Sequence, residues 1–140
     1  SGGHIGVAQG YKTYFLQNPE GQMMHTHSIA AGLDYVGVGP ILSHLHDEGK
    51  VRFSFATDQE VIDAVRSLIR TEGLIPALES THGLAGLLRE SSEMDEEDIV
   101  LFNLSGRGDK DIFNIAEALD DPKWREFIHQ KSNEYRKASN

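Results

Sequence analysis

The sequence predicts an α/β fold, and three patterns in the chain support this prediction. Residues 99–104 form a nearly unbroken apolar run, which is typical of a strand buried on both faces of a parallel sheet. A turn with two glycines follows at 105–108, and an apolar helical pattern begins after it. Upstream, apolar residues recur at helical spacing between 61 and 69. In open α/β sheets ligands bind at the carboxyl ends of strands, so the loop after residue 104 is the predicted ligand site.

Composition limits the classes of function that this chain of 140 residues can have. Its length corresponds to about one domain, and 39% hydrophobic residues are enough for a core. The net charge of −9 argues against a nucleic-acid or anionic-membrane partner, and no apolar run has the length of a membrane span. The absence of Cys fits a reducing compartment. We therefore predict a cytoplasmic protein with no nucleic-acid partner and no membrane partner.

The first part of the chain predicts a hairpin followed by an irregular loop. Residues 11–16 are rich in aromatic and β-prone side chains, and 18–21 have the Pro and Gly placement of a type I turn, so 22–27 are predicted to return as the second strand. Residues 30–40 contain three glycines and end at a proline, which favours irregular backbone. Asp34 is the only charged residue there, and by itself it fits a solvated loop.

Helical patterns dominate the rest of the chain. We predict a short helix over 41–48 that ends at Gly49, and a strand over 50–56. A longer helix follows a capping box at Thr57, and Gly73 ends it. Its apolar stripe comprises Val61, Ile62, Val65, Leu68 and Ile69.

A further helix begins near Pro76 and carries Glu79 in its first turn, where the helix dipole favours an anion. That complementarity alone explains an acidic residue at this position. After an acidic loop at 91–98, apolar residues recur over 112–119. Asp121 and Pro122 then predict the cap and first turn of a last helix, in a C-terminal extension over 120–140.

The loop at 105–111 matches no general phosphate-binding motif. A P-loop requires a Gly-Lys-Ser/Thr ending that is absent, and the dinucleotide pattern that begins at Gly106 and Gly108 has Asp111 in place of its third glycine. An ordinary tight connection, with Asp109 or Asp111 capping the following helix, stays open from the residues alone.

Three long sequence strings, one of which contains this loop, indicate a specific family. NLSGRGDKD at 103–111, GLIPALES at 73–80 and HSIAAGLDYVGVGP at 27–40 resemble the tryptophan synthase beta chain family, in the same order and at similar spacings. The resemblance covers residues 1–119 and implies the C-terminal part of a three-layer parallel-sheet domain. The implied fold is that of a fold type II pyridoxal-phosphate enzyme with a short hairpin near the N-terminus. The segment 120–140 exceeds the resemblance.

The resemblance implies the residues that hold the cofactor, pyridoxal 5′-phosphate. Ser105 matches the residue that hydrogen-bonds the pyridine nitrogen, and Gly106 follows it in the cofactor loop. Glu79 matches a glutamate near the cofactor ring. Because Ser105 is neutral, it does not stabilise a protonated ring as an aspartate would, which is consistent with elimination and replacement.

A second set of implied site residues lies in the loop at 30–40. Asp34 matches an aspartate that helps to close the active site over the substrate. The backbone carbonyls of Leu33, Tyr35 and Gly37 match ligands of a monovalent cation, Na⁺ or K⁺. Ligation through carbonyls is indifferent to side chains, so Gly37 in place of a common serine is compatible with it.

The implied activity is that of a lyase of tryptophan biosynthesis, which replaces the hydroxyl of serine by indole to give L-tryptophan. The implied partners are a tryptophan synthase alpha chain and a second beta chain in a homodimer. The family's Schiff-base lysine and phosphate loop lie upstream of the matched strings. The chain starts with Ser1 rather than Met, so we expect a C-terminal fragment that is inactive alone.

Two alternatives stay open. One is another fold type II enzyme, of the serine/threonine dehydratase or threonine synthase type, against which GRGDKD and GLDY count. The other is a noncatalytic ligand-binding or assembly module.

Overall fold

A computed structural model describes residues 3–138. Residues 1–2 and 139–140, the outer ends of the two predicted segments 1–119 and 120–140, lie outside it. The chain forms two compact units, one before Gln59 and one that begins there. The boundary predicted between residues 119 and 120 stays a prediction. The elements are the strands β1 (Gly3–Ala8) and β2 (Tyr11–Leu16) and the helices α1 (Pro40–Asp47), α2 (Asp58–Glu72), α3 (Leu78–Glu90), α4 (Ile112–Leu119) and α5 (Pro122–Ala138).

The first unit contains the predicted hairpin, but with a different partner strand. β2 pairs in antiparallel fashion with the upstream strand β1, from Gly3 opposite Leu16 to Ala8 opposite Tyr11. Gln9 and Gly10 connect them, both with positive φ, as a two-residue hairpin turn requires. The residues 22–27 that were predicted as the return strand form no strand.

The predicted turn at 18–21 is nevertheless present. The backbone N–H of Gly21 donates to the carbonyl of Asn18 at 2.9 Å, and Gly21 has φ +79°. After the turn the chain makes only a single bridge, between Gln17 and Met23. The prediction of the turn was therefore right, and the prediction of a strand after it was wrong because pairing stops at that bridge.

α1 begins with Pro40 in its first turn, and the chain leaves it through Gly49 at φ +65°, close to the predicted bounds. In the second unit α2 also matches the prediction. Its stripe buries Val61 and Val65, and Gly73 at φ +69° ends it.

α3 starts at Leu78, two residues after the predicted Pro76, and contributes the buried side chains Leu78, Thr81 and Ala85. The threonine hydroxyl is satisfied inside the helix, because it donates to the carbonyl of Ala77 at 2.8 Å. An ion pair of 3.1 Å between Arg89 and Glu60 joins α3 to α2.

Two predicted strands are absent from the described residues. The strands were predicted at 50–56 and 99–104. In the structure, 51–57 and 95–106 contain no regular secondary structure apart from an isolated turn. Ile99 and Leu101 are 97% and 96% exposed. A strand requires a neighbour that satisfies its backbone, and residues 3–138 provide sheet pairing only for β1 with β2. The parallel sheet is therefore not formed by this part of the chain.

The C-terminal helices form where they were predicted, but the buried face of α4 differs from the predicted stripe of Ile112, Phe113, Ala116 and Leu119. α4 buries Ile115, whereas Ile112 and Phe113 are exposed. Asp121 caps α5 as predicted, since its carboxylate accepts the backbone N–H groups of Lys123 and Trp124 at 2.8 and 3.2 Å. Across residues 3–138, every helix is too short or too polar to span a membrane.

Candidate functional site

Backbone hydrogen bonds join the glycine loop at 105–108 to the segment that leads into α3. The N–H of Ala77 donates to the carbonyl of Gly106 at 3.1 Å, and the N–H of Gly108 donates to the carbonyl of Ile75 at 2.9 Å. Between these two bonds, Pro76 and Arg107 form an isolated antiparallel bridge. The loop and the lead-in to α3 therefore form a pair of hydrogen-bonded backbone segments.

Both glycines are required for this close approach. A Cβ on Gly108 would lie 2.3 Å from the carbonyl oxygen of Pro76 and 2.6 Å from a side-chain carbon of Ile75. A Cβ on Gly106 would lie 3.0 Å from the Cβ of Ala77. The backbone that the two glycines approach is that of residues 75–77, which lead into α3.

Asp111 joins the same two segments through its side chain. It is only 5% exposed, and its Oδ2 accepts the backbone N–H of Leu78 at 3.0 Å. The sequence suggested that Asp109 or Asp111 caps the following helix, but Asp111 makes no side-chain cap to α4. It caps α3 instead, since that N-terminus lies against the loop and its first N–H groups have no partner within the helix.

Lys110 connects Asp111 to Glu79. Its Nζ lies 2.8 Å from Oε2 of Glu79 and 2.7 Å from Oδ2 of Asp111. The hydrogen bond with Asp111 is the main cause, and the one with Glu79 the second, of a pKa of Lys110 above its ordinary value. The predicted site residue Glu79, in the first turn of α3, thus forms an ion pair with Lys110, which follows the glycine loop.

Ser105 begins the loop and is exposed. Its hydroxyl lies 2.9 Å from the hydroxyl of Ser80, the residue that follows Glu79 in α3. The structure therefore brings Ser105, Gly106 and Glu79, the three predicted cofactor residues, together around one helix N-terminus. Sequence analysis missed Ser80, Lys110 and Asp111 as members of this cluster, because the contacts join positions 25 to 33 residues apart.

Arg107 and Asp109 form a separate ion pair on the surface of the loop, with Nη2 and Oδ2 at 2.7 Å. The arginine lowers the pKa of Asp109 and the carboxylate raises the pKa of Arg107. Both side chains are largely exposed, so we assign this pair no part in the cluster.

The second predicted set lies in the first unit, in the loop before α1. The backbone N–H of Leu16 donates to the carbonyl of Val36 at 2.8 Å, and the N–H of Val38 donates to the carbonyl of Tyr14 at 3.2 Å. These bonds place Gly37 opposite Phe15 in an isolated bridge. In a bridge of this kind the backbone groups of the central residue are directed away from its partner, so the carbonyl of Gly37 points away from β2.

Leu33 and Asp34 come just before this segment. Leu33 ends a short 3-10 helix, and Asp34 caps it with its backbone N–H, which donates to the carbonyl of Ala31 at 3.3 Å. The Asp34 side chain is on the surface. The Tyr35 hydroxyl donates to Gln9 at 2.5 Å and lies 3.4 Å from the hydroxyl of Tyr11, and its bond with Tyr11 raises the pKa of Tyr35.

The end of the same loop is held by a buried pair of hydroxyls. Thr13 on β2 donates to the carbonyl of Val38 at 2.5 Å, and its oxygen lies 2.8 Å from that of Ser43 on α1. Further along α1, the Tyr14 hydroxyl donates to Asp47 at 2.7 Å. This bond is the main cause of the lowered pKa of Asp47 and of the raised pKa of Tyr14.

Ser105, beside the start of α3, is exposed and can meet a hydrogen-bonding group of a ligand. A serine hydroxyl offers one donor and two acceptor positions, so Ser105 retains hydrogen-bonding capacity beyond its contact with Ser80. The residues that are present therefore fit the ring of pyridoxal phosphate.

Comparison with known proteins identifies relatives of this chain. It is 49% identical over 126 residues to the tryptophan synthase beta chain of Helicobacter hepaticus, a match that covers 90% of this chain and 30% of that protein. It is 46% identical over 115 residues to tryptophan synthase beta chain 1 of Chlamydia caviae, covering 82% of this chain and 28% of that protein. No protein-family model matches the chain. The chain thus spans less than a third of the length of the curated relatives it matches.

Proposed function

We propose that this chain, which is homologous to part of the tryptophan synthase beta chain, forms the C-terminal part of a pyridoxal-phosphate enzyme that makes L-tryptophan from serine and indole. The observation that supports this most directly is the cluster at the start of α3. It brings a neutral hydroxyl, a glycine and a carboxylate together from two strings, which are joined through Ser80 and Ser105, 25 positions apart.

Ser105 and Glu79 would hold the ring of the cofactor. When bound, pyridoxal phosphate supplies an electron sink for replacement at the β-carbon of serine. Ser105 would bond the pyridine nitrogen without carrying a charge, and Glu79, held by Lys110, would place a carboxylate near the ring. Gly106 would let the cofactor loop lie close to α3.

The loop before α1 would serve closure and cation binding. Asp34 is on the surface, where a side chain can move toward a partner when substrate binds. The carbonyl of Gly37 points away from β2, and together with the carbonyls of Leu33 and Tyr35 it would bind Na⁺ or K⁺, which prefer oxygen ligands.

The unpaired apolar run at 99–104 supports the proposed sheet. A run of this composition, with Ile99 and Leu101 almost fully exposed, fits a strand whose neighbours are other segments of a parallel sheet. In the full-length gene product we propose that it is an inner strand of the three-layer domain. The alpha chain and a second beta chain are the proposed protein partners, and the cytoplasm is the proposed location.

The test uses the full-length gene product loaded with pyridoxal phosphate. We expect it to form tryptophan from serine and indole, and we expect Ser105→Ala to weaken cofactor binding several-fold without unfolding, since one neutral hydrogen bond is lost. The matched control is Ser92→Ala, which removes an exposed hydroxyl that bonds only a helix-end carbonyl at 3.3 Å. Failure to bind the cofactor, or equal cofactor affinity for Ser105→Ala and the unchanged protein, would contradict the proposal.

A further inference from the structure

We infer that Ser80 is a positioning residue for Ser105, and that the two hydroxyls act as one unit toward the nitrogen of an aromatic ligand. This inference rests on the proposed function, because it adds a residue to the same cofactor site. Ser80 is 7% exposed, and its Oγ lies 2.9 Å from that of Ser105. A buried hydroxyl requires a hydrogen-bond partner, and the partner it has is the residue proposed to meet the ring.

The contact is built by the backbone around it. The hydrogen bond from Ala77 to Gly106 fixes the residue after Ser105 against the first turn of α3, where Ser80 lies. A Cβ on Gly106 would meet Ala77 at 3.0 Å and lie 3.8 Å from Oγ of Ser80. The missing side chain at 106 therefore lets the loop lie close to Ala77, three residues before Ser80.

The direction of this hydrogen bond decides what Ser105 offers a ligand. When Ser80 donates to Ser105, the proton of Ser105 is available to a ring nitrogen that accepts. When Ser105 donates to Ser80, its lone pairs are available to a ring nitrogen that carries a proton. Ser80 thus lets one neutral residue serve both protonation states, and it restricts the rotation of the Ser105 hydroxyl in each.

A double-mutant cycle in the full-length gene product tests this role, with the dissociation constant of pyridoxal phosphate as the readout. Ser80→Ala should raise that constant about two- to tenfold, the effect of one neutral hydrogen bond. In a Ser105→Ala background it should have no further effect, because Ser80 then has no hydroxyl through which to act. Ser80→Thr, which keeps the hydroxyl, should restore the affinity.

The absorbance of the bound cofactor as a function of pH provides a second readout that a purely structural role would not change. We expect Ser80→Ala to shift this titration, and the control Ser92→Ala to leave it unchanged. Ser80→Cys, which keeps the size but is a weaker hydrogen-bonding group, replaces the alanine variant if that variant does not fold.

The outcomes separate the two proposals. An unchanged dissociation constant and titration in Ser80→Ala, while Ser105→Ala weakens binding, would overturn the role of Ser80 alone. The same fold-change from Ser80→Ala in both backgrounds would also overturn it. If Ser105→Ala leaves the affinity unchanged, the proposed cofactor contact fails and the role of Ser80 fails with it.

Discussion

Replacing Asp111 by alanine should destabilise the first turn of α3, although Asp111 lies 33 residues after Leu78 in the chain. The Asp111 carboxylate is almost completely buried and accepts the N–H of Leu78 at 3.0 Å. It is also the nearer of the two carboxylates that bind Lys110. Alanine at this position removes the cap of α3 and one side of the contact between the loop and the helix.

The magnitude follows from these two losses. A helix cap of this kind contributes about 1 kcal/mol, and a buried N–H that is left without a partner costs about 1–3 kcal/mol. The ion pair with the half-exposed Lys110 adds little, because solvent screens it. We therefore expect local opening at Leu78 to become easier by about 2 kcal/mol, which corresponds to roughly 30-fold faster amide exchange.

Hydrogen–deuterium exchange of the full-length gene product, read on a peptide that covers the first turn of α3, measures this change. Asp111→Asn keeps an oxygen that can accept the N–H of Leu78, so its effect should be clearly smaller. Asp109→Ala is the matched control in the same loop. Asp109 forms its ion pair with the exposed Arg107 on the surface of the loop and makes no hydrogen bond to α3 among residues 3–138, so exchange in α3 should not change. Equal exchange in the alanine variants at 109 and 111 would refute the capping role.

Three further changes test other parts of the structure. Gly108→Ala should destabilise the protein by about 2 kcal/mol or more in urea denaturation, because its Cβ would clash with backbone, whereas Gly86→Ala, with open space at its Cβ, should be tolerated. Tyr14→Phe should move the lowered pKa of Asp47 back up toward 3.8, as NMR titration of the carboxyl would show. In the unchanged protein, the contribution of this bond to stability is present above the ordinary pKa of 3.8 and is lost as the pH falls through the lowered pKa. The variant should therefore be less stable than the unchanged protein above that range, and the difference should vanish below it. Asp34→Ala should impair tryptophan formation more than cofactor affinity, measured side by side, if the residue closes the site.

Local signals predicted the helices well. The stripe that contains Val61 and Val65 has the helical period over a long window, and Asp121 followed by Pro122 is a start signal that the structure confirms by two hydrogen bonds. The hairpin shows the limit of such signals. The turn around Pro19 was recognised correctly, but a better two-residue turn at Gln9 and Gly10 decides which strand pairs with β2.

The contacts within the cluster around α3 were less predictable than the presence of Ser105 and Glu79 in it. The motif pointed to Ser105 and Glu79, and the structure places them around the same helix start. The partners that hold them could not be read from the sequence, because Ser80 and Asp111 have ordinary local interpretations as a helix residue and a cap of the next helix. Their roles depend on which backbone segments lie side by side, and the pairing of Pro76 with Arg107 decides that.

Residues 99–104 have the composition of a strand, but the structure contains no strand there. Six residues of strand-like composition have a low free energy only where neighbours cover their side chains and satisfy their backbone groups. Among residues 3–138 the one strand pair is already complete in the first unit, and Ile99 and Leu101 remain almost fully exposed. Their exposure costs about 25 cal/mol for each Å² of apolar surface that water contacts, a cost that other segments or chains would remove by covering them. The glycine loop that follows is rigid on its α3 side alone, through the bonds of Gly106 and Gly108. Covering the apolar run would fix the loop from its other side as well, and Ser105 lies at the junction of the two.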